Sequence, residues 1–169
     1  MQKVKQKDKY MNDILEGKIV ITRKHKTEGV SILMDENIVL TQARTIVRDL
    51  IFGGTETIIK LGLGDLGYND LTPISEWSNP PLSNVSDTHI INLLENIPLK
   101  TKEVIEVDAK PAIKFTFEML SPDYNGTGQQ KFVELGLSLS DNRLFTKKNR
   151  PVFIKDSETE FTIEYYLIF

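Results

Sequence analysis

Two runs of alternating residues near the carboxyl end constrain the fold of this chain more than any other feature. Apolar side chains occupy the odd positions of residues 133–139, and apolar or aromatic ones occupy the odd positions of residues 161–169. A period of two places one set of side chains on one face of a β-strand, so both runs predict strands with a buried face. Because the second run reaches Phe169, we expect the last strand to be built into the core.

Shorter strand patterns precede these two runs. Residues 18–22, 29–33, 57–64 and 89–94 are strand-like, and residues 105–119 alternate up to an interruption at Pro111. Since proline cannot donate to a strand ladder, the interruption predicts two strands, a bulge or an edge position. Asn125-Gly126 is a strong turn dipeptide, and it predicts that residues 105–119 and 131–139 form an antiparallel pair.

One segment has the periodicity of a helix instead. Residues 42–52 carry apolar side chains at the spacing of a single buried helical face, namely Ala43, Ile46, Val47, Leu50 and Ile51. Thr41 is the predicted N-cap, and Gly53-Gly54 supply the position at which a left-handed residue ends a helix. Taken together, the patterns predict a mainly β chain, an antiparallel β-sandwich of about seven or eight strands with one short amphipathic helix.

Composition limits the organisation and the classes of partner. A length of 169 residues suits one domain, which we place at residues 17–169. Residues 1–16 are rich in Lys, Gln, Asp and Asn and are predicted to form a flexible or docking arm. A net charge of −3 argues against a general nucleic-acid binder, and no run approaches the roughly 20 apolar residues of a membrane span.

The motifs that could carry chemistry each have a simpler interpretation. Residues 62–67 read G-x-G-x-x-G, but no helix pattern follows them to hold a pyrophosphate, so we interpret them as a turn. Asp65, Asn69 and Asp70 could ligate calcium, yet their spacing does not match the calcium-loop pattern.

Paired carboxylates are the remaining possibility for catalysis. The pairs Glu158/Glu160 and Glu106/Asp108 fall on the polar faces of strands, where charged residues are expected in any case. Cysteine is absent, and the only histidines are His25 and His89. The sequence therefore predicts no catalytic residue, no metal site and no cofactor.

A long loop holds the candidate interface residues. Residues 65–87 are dense in Gly, Pro, Asn, Asp and Ser, and loops of such length are usually functional or interface-forming. Aromatic side chains in predicted loops and the neighbouring prolines are the candidates, namely Tyr68, Trp77, Pro80, Pro81 and Tyr124. Trp77 suits three roles: an anchor for the loop, a contact in an oligomer, or a platform on which a sugar stacks.

A series of short motifs resembles a known family. In order, the motifs are I-I-K-L-G-L-G (58–64), E-L-G-L (134–137), N-R-L-F-T-K-K (142–148), F-I-K (153–155) and F-T-I-E-Y-Y-L-I-F (161–169). This order resembles a recurrent domain of tailed-bacteriophage virion proteins, over about residues 42–169. The chain departs from that pattern at Leu135, where a small residue is commoner, and at Lys147-Lys148, where an arginine is.

The resemblance implies a function in assembly. Members resemble small β-sandwich proteins of the neck, tail, baseplate or fibre-attachment region. The expected function is therefore that of a non-enzymatic structural adaptor in the virion, assembled in the host cytoplasm. Its expected partners are other copies of the chain and other virion proteins, with no nucleic acid and no membrane. The alternative left open is a carbohydrate-binding, receptor-binding β-sandwich module.

Overall fold

Strands dominate the structure, a computed structural model that describes residues 15–169 and that is 54% strand. The nine strands are β1 (Glu16–His25), β2 (Gly29–Val39), β3 (Ile58–Gly64), β4 (Leu93–Pro98), β5 (Thr101–Val107), β6 (Lys110–Met119), β7 (Gln129–Leu139), β8 (Thr146–Asp156) and β9 (Thr159–Ile168). All pair antiparallel, in the order β4-β3-β7-β8-β2-β1-β9-β6-β5, and form one curled half-barrel sheet. The mainly β class is confirmed, whereas the sandwich and the number of strands are not.

The last strand lies deep in this sheet, as its alternation predicts. β9 pairs with β1 on one side and with β6 on the other. Its odd positions face the core, and Ile163 and Tyr165 are fully buried there. Phe169 is the exception, because it follows the end of β9 and is half exposed.

β7 is buried on both faces, which its alternation did not predict. Residues 132–139 are all buried, the polar ones included. The inner face of β7 lies in the main core, while residues 65–92 cross its outer face. Glu134 and Ser138 are the buried polar side chains of this strand, and the loop of residues 65–92 covers Glu134.

The helix ends as predicted but buries less of its surface. Helix α1 spans Thr41–Ile51, its N-cap is Leu40 rather than Thr41, and no side chain caps it. At the other end the Gly54 and Gly53 amides donate to the carbonyls of Asp49 and Leu50, with Gly53 at φ +97°, which is a Schellman motif. Ala43 and Ile46 are buried, but the apolar side chains of the last turn are exposed, so the predicted face is buried over only its first half.

One prediction about pairing and one about the position of a strand are wrong. β6 pairs with β5 and β9, whereas β7 pairs with β3 and β8, so the Asn125-Gly126 turn joins strands of different parts of the sheet. The strand expected at residues 89–94 lies instead at Leu93–Pro98. Pro111 lies near the start of β6, just after the tight turn that separates β5 from β6. Of the three alternatives predicted for this proline, an interruption between two strands is therefore the one observed.

The structure changes the description of the predicted loop and of the predicted arm. A second helix, α2 (Ile74–Ser78), forms inside the long loop. β1 begins at Glu16, and residues 1–14 of the predicted arm lie outside the described residues. Neither described helix is long and apolar enough to cross a membrane.

Candidate functional site

The shortest strand pairing in the described sheet is the one between β2 and β8. In the part of the chain that the structure describes, only the pairs Ile38–Lys147 and Val39–Thr146 join these two strands. Beyond them, residues 29–37 of β2 pair with β1 alone, and residues 148–156 of β8 pair with β7 alone. We call the gap between residues 31–37 and residues 148–154 the seam. It presents two strand edges that no described strand covers.

Arg150 is the most unusual side chain at the seam. It is only 5% exposed, and its guanidinium carbon lies 5.5 Å from the centre of the Phe153 ring. Its Nε and Nη1 atoms have no hydrogen-bond partner among the described residues. Burial lowers the pKa of the guanidinium, and Asp35 opposes that shift. Since arginine stays charged in proteins, the seam contains a buried cation with two nitrogen atoms, Nε and Nη1, that are not satisfied by the described residues.

Two carboxylates on or next to β2, those of Asp35 and Glu28, are already engaged. Lys148 Nζ lies 2.7 Å from Asp35 Oδ1, and that oxygen also accepts the Glu36 amide at 2.9 Å. On the β1 side, Arg23 Nη1 donates to Glu28 Oε2 at 2.6 Å. These contacts pair Asp35 and Glu28 with cations other than Arg150.

Three further side chains near the seam have polar atoms without partners among the described residues, and one of them is Asn149 on β8, whose Oδ1 is unpaired. Both amide atoms of Asn37 are unpaired in the described structure, and Asn37 is 8% exposed. The hydroxyl of Tyr165 is fully buried and makes no hydrogen bond of good geometry among the described residues, although Thr146 lies beside it, and desolvation raises its pKa. The large majority of buried polar groups in proteins have hydrogen-bond partners. A cluster of unpaired groups around the β2–β8 pairing therefore distinguishes this region as a candidate binding site.

A cavity opens at the seam. It measures about 280 Å³ and is lined by Ile21, Arg23, Ser31, Leu33, Arg150, Val152, Phe153, Ile154 and Phe161. The lining is therefore mainly apolar, with Arg150 and Arg23 as its cations. A larger groove of about 840 Å³ lies where Asn37, the start of β1, helix α1 and Phe169 meet.

The other buried charges are fully satisfied. Lys147 Nζ contacts Glu134 Oε1 at 3.0 Å and Asp87 Oδ2 at 3.3 Å, and it donates to the His89 carbonyl at 3.2 Å. Glu134 also accepts the amides of Leu66 and Ile91. This network attaches the loop of residues 65–92 to β7 and β8, so we assign it a structural role.

A second satisfied cation holds the connection between β6 and β7. Lys155 is fully buried, and its Nζ donates to the Ser121 carbonyl at 3.2 Å and to Asn125 Oδ1 at 2.7 Å. Desolvation lowers the pKa of this ammonium group. Sequence analysis placed Lys155 and Glu134 in motifs but missed both networks, because their partners lie on loops that are distant in sequence.

The predicted interface residues are mostly engaged within the chain. Trp77 is only 5% exposed, its ring centre lies 5.1 Å from that of Tyr68, and Lys131 Nζ lies 5.1 Å from it on the ring face. The Pro81 carbonyl accepts the side-chain amide of Asn149 at 2.9 Å. Pro80 and Tyr124 are half-buried, and Tyr124 packs against the core.

The glycine motif and the acidic residues also have structural roles. A Cβ atom on Gly64 would lie 2.4 Å from Ile90 Cγ2, so glycine is needed where the loop crosses β3. Asp65 accepts the Gly67 amide at 2.8 Å and the Asn92 side-chain amide at 2.7 Å. Among residues 15–169 no three acidic or histidine side chains cluster in a way that could hold a metal.

Comparison with known proteins identifies no relative. No family model matches the chain, and neither the curated proteins nor the solved structures include a significant match.

Proposed function

We propose that this protein is a non-enzymatic structural subunit of a tailed-bacteriophage virion, an adaptor in the neck, tail, baseplate or fibre-attachment region. The order of the short sequence motifs supports the virion context. The uncovered edge of β2 supports the role in assembly, and that edge is the observation on which the proposal rests.

β2 combines a free edge with exposed apolar side chains. Ile32 is 62% exposed and Met34 is 75% exposed, and Val30 is exposed on the same face of the strand. A free edge with apolar side chains is a template for pairing with another chain, and soluble proteins normally blunt or cover it. We infer that a neighbouring subunit or another virion protein covers β2 in the assembled particle.

The long loop takes a smaller part in this proposal than its composition suggests. Its aromatic anchor Trp77 and its attachment to Glu134 and Lys147 hold it on the chain's own sheet. Of the predicted arm, the part before β1 remains a candidate for a segment that reaches an adjacent subunit. Subunits of this kind assemble in the host cytoplasm and need no cofactor.

The carbohydrate-binding alternative has less support. It requires an aromatic ring with an exposed face, since sugars stack on such faces. Tyr68 and Lys131 cover the Trp77 ring, and Trp77 is almost completely buried. A glycan array that gave signal, and lost it on Trp77→Ala in a protein that remains folded, would favour this alternative.

A charge placed on β2 tests the proposal. Ile32→Lys adds a charge to the free edge, and we expect it to abolish oligomers and incorporation into particles while the melting temperature stays within a few degrees. The matched control is Val104→Lys, because Val104 is 86% exposed on β5, a strand at the end of the sheet. Mass photometry of the purified chain, with and without the other structural proteins of the phage, measures association.

The outcome separates the proposal from its rivals. Loss of assembly with Ile32→Lys but not with Val104→Lys supports docking through β2. A chain that stays monomeric in every mixture, and that antibodies fail to detect in purified particles, would reject the virion function.

A further inference from the structure

The unsatisfied donors of Arg150 call for an acceptor from outside the described chain. A buried guanidinium without acceptors is strongly disfavoured, because desolvation removes its water without replacement. Phe153 offers only its ring face. The chain nevertheless places this cation in the lining of the seam cavity.

The charges around the cavity define the missing acceptor. Asp35 and Glu28, the carboxylates beside the seam, are each paired with a cation, Lys148 and Arg23 respectively. The Tyr165 hydroxyl, buried beside Thr146, is a further donor near Arg150. A group with negative charge, and above all a carboxylate, complements this arrangement.

The shape of the seam defines how that carboxylate arrives. The cavity lies between two strand edges, and a segment that enters in an extended conformation can hydrogen-bond to an edge while alternate side chains point inward. Pro151 lacks an amide hydrogen, so the β8 edge offers fewer donors than the β2 edge. The incoming segment therefore pairs with β2.

We infer that the seam binds an extended segment of a partner protein through an acidic side chain that contacts Arg150. A cavity of about 280 Å³ lies below the usual size of a drug-sized site and suits one or two side chains. Apolar neighbours of the acidic residue pack against Leu33, Phe153 and Phe161. This inference rests on the proposed assembly function and adds the chemistry of the partner.

A random heptapeptide library displayed on phage, selected on the immobilised full-length chain, tests the inference. We expect enrichment of one Asp or Glu position flanked by apolar residues. Fluorescence anisotropy with the selected peptide then measures affinity. Replacing its acidic residue by the corresponding amide should weaken binding at least about thirtyfold, as for other buried charge pairs.

Variants of the protein assign the effect to Arg150. Arg150→Gln should weaken the binding of the acidic peptide to the same extent and should not weaken the binding of the amide peptide further. Arg150→Lys should retain part of the affinity for the acidic peptide. The control is Arg48→Gln, because Arg48 lies on helix α1, where it pairs with Asp49. If Arg150→Gln does not fold, the comparison of acidic and amide peptides on the native chain still decides.

Two outcomes would overturn the inference. One is selection of peptides without an acidic position, and the other is equal binding of the acidic and amide peptides. Either result together with assembly that still depends on Ile32 rejects only the acidic partner. A native chain that stays monomeric in every mixture and is not detected in purified particles would reject the proposed function itself.

Discussion

Lys147 and Arg150 lie three residues apart on β8, and they differ in how far neighbouring groups compensate their buried charges. Lys147 has two carboxylates and a carbonyl within 3.3 Å, so its burial is compensated and it attaches a loop. Arg150 is buried almost as deeply, and its Nε and Nη1 have no partner in the part of the chain that the structure describes. Removal of one partner from a compensated pair destabilises a protein, whereas an uncompensated cation gains from a ligand. Individual residues therefore separate the structural part of β8 from its candidate binding part.

Gly62 and Gly64 show how closely the loop packs on β3. A Cβ atom on Gly62 would lie 2.6 Å from Ile90 Cδ1, the end of a side chain. On Gly64 it would meet Ile90 Cγ2 at 2.4 Å and the Asn92 carbonyl oxygen at 2.6 Å. The first obstacle can be removed by shortening Ile90, but the second cannot, because it includes backbone.

We therefore expect different rescue of two alanine substitutions. Gly62→Ala and Gly64→Ala should each lower the free energy of unfolding, by about 1–3 kcal/mol, through overpacking. Ile90→Val removes Cδ1 and keeps Cγ2, so it should restore most of the loss for Gly62→Ala and little for Gly64→Ala. Urea denaturation of the single and double variants measures this. Equal rescue of both would show that the loop does not cross β3 as described.

At the scale of elements, β9 organises the sheet. It pairs along its length with β1 and β6, and its buried side chains join the core that also includes helix α1. Tyr165 packs edge-on against Phe117 at a centroid distance of 6.5 Å. Loss of this strand would leave both of its neighbours without a partner on one side.

Deletion of residues 165–169 should abolish soluble folding. It removes Tyr165, Leu167 and Ile168, which are buried, and each fully buried side chain contributes about 1.5–3 kcal/mol. A typical stability of about 5–15 kcal/mol would then be largely lost. Deletion of Phe169 alone is the control, because it removes one half-exposed side chain and the bond from its amide to the Pro111 carbonyl. Solubility and thermal melting check both, and a truncated chain that melts cooperatively would contradict this placement of β9.

Local patterns predicted the elements better than their pairing. Alternation identified β7 and β9, and helical periodicity with Gly53-Gly54 placed helix α1 to within a residue. The pairing predicted from Asn125-Gly126 is wrong, because a turn dipeptide predicts that the chain reverses but not which strands then pair. The seam could not be predicted, because the pairing of β2 with β8 and the isolation of Arg150 depend on contacts that are more than 100 residues apart.

At the scale of the whole molecule, the curled sheet is held unevenly. At one corner, the Leu99 amide donates to the Ile59 carbonyl and the Lys100 amide donates to the Thr116 carbonyl, so the connection from β4 to β5 ties together the two ends of the sheet. At the seam only two residue pairs join the strands. Local opening is expected where hydrogen bonds and buried contacts are few. The fold thus places weakly protected backbone inside the sheet at the site proposed for docking.

Hydrogen exchange should reveal this difference in protection. In the isolated protein, amides of residues 30–36 should exchange faster than those of residues 161–167, because β2 pairs on one side there and β9 pairs on both. In the assembled particle, residues 30–36 should become protected, as strand addition supplies the missing partner. Residues 101–107 of β5 are the internal control, since they form the end strand of the sheet and should exchange unchanged. Mass spectrometry of both states makes the comparison. Unchanged exchange in residues 30–36 on assembly would place the docking surface elsewhere on the molecule.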